Sequence, residues 1–214
     1  PSVTAYSVLT LKDQVTEDFT ETKFDFYTQE GKRLSVTGAI DYVSSKYYYE
    51  CETYKLLKFP INYTDLTIIL PNEGIDILSI DISDAYSQSL NISNTENTLP
   101  ESALIKVPFF EVKSPDLDLS SSISILSGER FSKLIEISDP DIDIDIGGIK
   151  QTSYFSFSKE GVEGYAVTAF ESQASTPPSN YIEFICNRPF YAISSYKAIP
   201  LFAIQINNPN LKAN

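Results

Sequence analysis

YFSFSKEGVEGYAVTAFESQASTPPSNYIEFICNRPF, running from Tyr154 to Phe190, is the stretch that organises this chain of 214 residues. It opens with an alternating apolar strand (Tyr154, Phe155, Phe157) and turns at Lys159-Glu160-Gly161. A run of small, uncharged residues follows: Gly164, Ala166, Val167, Thr168 and Ala169. A polar span without periodicity then carries Pro177-Pro178, and a second apolar strand ends at Asn187-Arg188-Pro189-Phe190. About twenty residues of loop between two strong strands is uncommon in a compact domain, where such loops are functional or disordered. The small-residue run is β-compatible but has little to anchor it. It suits a segment that is exposed in one state and paired as a strand in another.

Working outward, residues 3–11 (VTAYSVLTL) alternate like a strand, and Lys12 to Phe19 lead out of it. Further alternation predicts strands at residues 22–27 and 34–39, the first followed by the Gly31-Lys32 turn. Three closely spaced strands follow from Lys46 (KYYYECET, YKLLKFPI, LTIILP), separated by turn residues such as Asn62-Tyr63-Thr64-Asp65. Residues 75–99 are polar and weakly patterned, and predict one short helix at most, near residues 84–90. Residues 103–113 (ALIKVPFFEVK) read as a long strand with an edge, bulge or bend at Pro108. A helix is expected from Ser114, kept short by Ser120, Ser121, Ser122 and the β-branched Ile123 and Ile125.

Composition narrows the classes. Fourteen Tyr, thirteen Phe and abundant Ile, Ser and Thr favour β structure. A net charge of −13 argues against nucleic acid, whose phosphates need clustered Lys and Arg. No apolar run reaches the roughly eighteen residues of a membrane span, and no signal peptide precedes the first strand. There is no Met, so Pro1 is not an initiator and something upstream is expected to have been lost. The chain has no His, which excludes Ser-His-Asp and Cys-His catalysis; with no P-loop or dinucleotide fingerprint either, it does not read as an enzyme. The run Asp139-Pro140-Asp141-Ile142-Asp143-Ile144-Asp145-Ile146 brings calcium to mind. Strict alternation instead puts the acids on one strand or loop face, solvated, so neither metal nor cofactor is expected. Cys51 and Cys186 read as free, buried small hydrophobes rather than as a disulfide. Two sequons, Asn62-Tyr63-Thr64 and Asn91-Ile92-Ser93, tilt an otherwise open compartment slightly towards extracellular.

The central stretch resembles the hinge and reactive-centre loop of the serpins, protease inhibitors whose loop inserts into their own sheet. The family hinge Glu-Glu-Gly-Thr-Glu-Ala-Ala-Ala-Ala-Thr is similar to Lys159-Glu160-Gly161-Val162-Glu163-Gly164-Tyr165-Ala166-Val167-Thr168, with Lys159 in place of an acid. Phe184 to Phe190 resembles the family's Phe-x-x-x-x-Pro-Phe, and residues 201–209 its closing strand and Asn-Pro. Lys12 and Phe19 match the exit of the third strand of the main sheet, although Asp13 stands where Gly is usual and Val15 where Trp is usual.

The resemblance implies a mostly β fold with one or two short helices: serpin-like β-sheets, in an α+β family fold whose helical N-terminal half is absent from this chain. It implies one serpin-like domain over 1–214, or a portion of one, with an exposed loop at about 161–180. The chain is then either a fragment completed by a second chain supplying the N-terminal half, or a reduced serpin-like fold. The function implied is inhibition of a serine or cysteine protease by loop cleavage and insertion. The alternative is a non-inhibitory serpin-fold binding or decoy module. The hinge would comprise Glu160, Gly161, Val162, Glu163, Gly164, Ala166 and Thr168, with Val162, Gly164, Ala166 and Thr168 facing inward. Alignment on the hinge puts the reactive bond after Ser175, before Thr176; alignment on Pro177-Pro178 puts it after Ala174.

Overall fold

The computed structural model describes residues 2–9, 13–14, 19–92, 99–113, 117–118, 145–162 and 178–211, and side chains within 19–92, 99–113, 153–162 and 178–211. In chain order the strands are β1 (Ser2–Leu9), β2 (Asp13–Gln14), β3 (Thr20–Tyr27), β4 (Arg33–Ser44), β5 (Tyr48–Glu50), β6 (Tyr54–Pro60) and β7 (Asp65–Pro71). After the helix α1 (Ile82–Asn91) come β8 (Ser102–Pro108), β9 (Phe110–Lys113), β10 (Leu117–Asp118), β11 (Asp145–Ser158), β12 (Gly161–Val162), β13 (Ile182–Ile185), β14 (Phe190–Tyr196) and β15 (Ile199–Ile206). The chain divides into two compact units, one of Pro1–Thr10, Lys113–Tyr154 and Ala213–Asn214, the other of Leu11–Val112 and Phe155–Lys212.

In the first unit β1 lies parallel to β11, in register from Ser2 opposite Asp145 to Leu9 opposite Ser153. The register shifts between Val3 and Thr4, which leaves Gly147 as the extra residue of a bulge. On the same strand Leu117 and Asp118 pair antiparallel with Gln151 and Lys150. The helix expected from Ser114 is therefore not helical at Leu117–Asp118. The β11 backbone offers hydrogen bonds there that a weak helix former accepts; the rest of that segment lies outside the described residues.

In the second unit two further sheets enclose the core. One has the order β13-β8-β4-β3, the other β15-β14-β7-β6-β5. The second unites the strands after Lys46 with the C-terminal pair. Its central strand β7, Asp65-Leu66-Thr67-Ile68-Ile69-Leu70-Pro71, is buried on both faces, as a near-continuous apolar run demands. Leu66, Ile68 and Leu70 join the main core, while Ile69 packs with Leu56, Ala85, Tyr86 and Ile193 in a second cluster that includes α1.

Helix α1 starts two residues before the expected position because Asp81 caps it, accepting from Ser83 N at 2.9 Å and Asp84 N at 3.1 Å. Tyr86 Oη donates to Ala198 O at 3.1 Å and ties the helix to the β14–β15 hairpin. The long strand expected over 103–113 is broken between Pro108 and Phe110, as proline required. Phe109 N turns instead to Thr37 O at 2.9 Å. Cys186 is free and fully buried; Cys51 is free but only half-buried, in contrast to the expectation.

Candidate functional site

The hinge grows out of the end of β11. Lys159 and Glu160 turn the chain back, and Gly161 takes φ +107°, a backbone state that side-chain-bearing residues rarely adopt. Gly161 and Val162 then form β12, with Ser158 opposite Gly161 and Phe157 opposite Val162. The other edge of β12 is occupied as well, since Gly161 pairs with Gln14 and Val162 with Asp13 of β2. Gly161 and Val162 are thus hydrogen-bonded as a strand on both sides.

Three features hold this strand. Ser158 Oγ donates to Glu160 Oε2 at 3.2 Å and accepts from Glu160 N at 3.3 Å, clasping the turn. Phe19 N donates to Lys159 O at 2.8 Å. Val162 is 1% exposed and belongs to the main core. Its cross-strand partner Phe157 packs against Phe19, Phe109 and Phe110 at centroid distances of 5.5, 5.8 and 5.9 Å. Phe110 in turn meets Phe155 and Phe190, both at 6.0 Å. The turn acid Glu160 stays exposed, whereas Gly161 is buried.

Of the expected hinge residues, Glu160, Gly161 and Val162 come together in this way. Glu163, Gly164, Ala166 and Thr168, and the reactive-bond candidates Ala174, Ser175 and Thr176, lie outside the described residues. Val162, expected to face inward, is a core residue already, set there by pairing with Phe157.

Downstream, Asn187 to Phe190 crosses between sheets. Tyr27 N donates to Asn187 O at 2.8 Å, Arg188 Nε donates to Pro71 O at 2.8 Å, and Phe190 is fully buried. Asn210 Nδ2 reaches Ser35 O at 3.2 Å and secures the chain after Asn208-Pro209. Of the two sequon asparagines, Asn91 is exposed on α1, whereas the Nδ2 of Asn62, the atom a glycan would join, is buried. Burial drives the Cys186 thiol pKa well above its usual range. Burial also raises that of Cys51, but hydrogen bonds from Thr53 and Tyr54 outweigh it and leave a net lowering.

These features define a mostly β protein in which the short strand β12 is paired on both edges, with β11 and β2. A family model described as "Serpin (serine protease inhibitor)" matches residues 8–209, and the chain belongs to the serpin family. Among curated proteins, human Serpin B3 is 24% identical over 147 residues, which cover 64% of this chain and 36% of that protein. Among solved structures, Manduca sexta Serpin-12 superposes with a TM-score of 0.66 at 18% identity, covering 99% of this chain and 57% of that one. The thermophilic serpin tengpin in its native state gives 0.67 at 17% identity, covering 97% and 55%. Serpin48 of Tenebrio molitor gives 0.62 at 22% identity, covering 98% and 56%. The chain therefore spans little more than half the length of these solved relatives.

Proposed function

We propose that the protein is a serpin-type inhibitor of a serine or cysteine protease, acting by cleavage of its loop and insertion of the cut strand into its own sheet. The observation that carries this reading is β12, which already pairs with β2 on one edge and β11 on the other. Insertion extends that strand. Because β1 and β11 are hydrogen-bonded directly to each other from Ser2–Asp145 to Leu9–Ser153, they must part to admit it. One strand interface is then replaced by two, and each backbone hydrogen bond gained contributes about 1 kcal/mol net. Inward positions are to be small or β-branched, and Gly164, Ala166 and Thr168 meet that need in sequence. Cleavage falls within Ala174-Ser175-Thr176, which suits a protease with a small, neutral specificity pocket.

The test mixes the chain with a panel of serine and cysteine proteases. The expected result is a complex stable to SDS, and a cleaved form that melts well above the intact chain. Cleavage with neither a complex nor a change in melting temperature overturns inhibition by insertion and leaves the decoy reading.

A further inference from the structure

Away from the hinge, a groove of about 390 Å³ opens between the ends of β3, β7 and the segment before β14. Its lining is about half apolar, with Tyr27, Pro71, Ile75, Ile77 and Pro189 among the residues, and about half polar, with Thr28, Gln29, Asp76 and Arg188. One cation lines it, Arg188, which is half-buried. The guanidinium is fixed from behind: Nε donates to Pro71 O at 2.8 Å and Nη1 to Asn187 Oδ1 at 2.9 Å. Nη2 donates to no described residue, and no described carboxylate lies within ion-pair distance of Arg188.

That arrangement is unusual in a chain carrying a net charge of −13, where acids are plentiful enough to pair any structural cation. The one carboxylate in the groove wall, Asp76, is already engaged, accepting from Leu78 N at 3.0 Å and from Gln29 Nε2 at 3.2 Å. A half-buried guanidinium whose hydrogen bonds, among the described residues, go only to neutral oxygens has lost hydration without gaining an ion pair. Burial accordingly works against its charged form, and the field of Glu73 only partly offsets this.

We propose that this groove is a binding site for a small monocarboxylic acid with an apolar body, its carboxylate received by Arg188 and its body by Tyr27, Ile75 and Ile77. The volume suits a ligand of that size, and apolar surface combined with a few placed polar groups is a usual make-up of such sites. A charge-assisted N–H···O⁻ bond supplies the orientation. The single charge is set by Asp76 and Glu73, which repel a second negative group and so disfavour phosphate and dicarboxylates.

Phenylacetate, titrated against the full chain and followed through the amide signals of Gln29, Gly74 and Ile75, is the direct probe. Saturable shifts are expected with phenylacetate and none with phenylacetamide. Gln29→Glu, at an exposed position, replaces the Gln29–Asp76 hydrogen bond by a second carboxylate and should weaken phenylacetate by about tenfold, with a thermal scan showing that the variant is still folded at the titration temperature. Arg188→Gln should abolish binding; if it also destabilises the fold through the lost contact with Pro71, Gln29→Glu still decides. Equal binding of the amide, equal binding of inorganic phosphate, tighter binding of a peptide through its free C-terminus, or no shift at all would each overturn the assignment.

Discussion

At Gly38 a side chain has no room. A Cβ there would stand 2.2 Å from Val107 O and 2.6 Å from Pro108 Cα on the neighbouring strand β8. Backbone atoms cannot step aside as a flexible side chain can, so Gly38→Ala should cost at least the ~3 kcal/mol at the upper end of overpacking. Chemical denaturation would register it as a lower midpoint at unchanged slope. The opposite sign is expected at Thr67, whose hydroxyl is buried on β7 with no hydrogen-bond partner among the described residues. Thr67→Val keeps the shape and removes an unpaid desolvation, so stability should rise by about 1 kcal/mol. Neither residue was legible beforehand. A glycine inside an alternating strand signals close approach somewhere, but only the register of Gly38 opposite Pro108 says against what. A threonine in a β-rich run looks like good strand material until its neighbours are known.

At the scale of elements, periodicity was a sound guide wherever one physical requirement dominated. The apolar run of β7 demanded burial on both faces, and Pro108 demanded a break in the ladder. Parallel pairing of β1 with β11 carries no local signal, because strands so far apart in sequence share no turn. The hinge divides in the same way. Its small inward residues could be read directly, but Val162 being in the core already depends on Phe157 across the turn and on β2 beyond it. This separates two substitutions that alternation treats alike. Val162→Arg buries an unpaired cation in a phenylalanine cluster and should destabilise the uncut chain by about 3 kcal/mol or more. Gly164→Asp falls in the stretch that the sequence reads as loop in the uncut chain, and should leave the uncut melting temperature within about 2 °C. The same substitution should abolish the rise in melting temperature after cleavage, because the charge must be desolvated as the strand enters. Thermal scans of both variants before and after cutting at residues 174–176 separate a packing defect from a block to insertion.

For the molecule as a whole, the absence of histidine and the wealth of tyrosine move pH sensitivity to the alkaline side. Burial pushes Tyr54 up to about 12 from the ordinary phenol value of 10.0, aided by the fields of Cys51, Tyr49 and Asp84. Tyr48 is raised too, first by burial and then by its hydrogen bond to Glu50, and Tyr42 and Tyr191 are raised chiefly by burial. A phenol with a raised folded pKa holds its proton more tightly in the native state than in the unfolded chain. Its contribution to stability is therefore complete below the unfolded value of 10.0 and is lost as pH rises through the folded value, about 12 for Tyr54. Lysines lose charge over part of the same range, which adds repulsion to an acidic chain and would by itself mimic the effect. Tyr54→Phe removes one phenol and no lysine. The wild-type melting temperature should fall steeply across this window, with tyrosinate absorbance rising in step with unfolding, while Tyr54→Phe should show a shallower fall from a similar neutral value. Identical slopes for the two proteins would mean that Tyr54 ionises freely in the folded state and that lysine discharge alone drives alkaline unfolding.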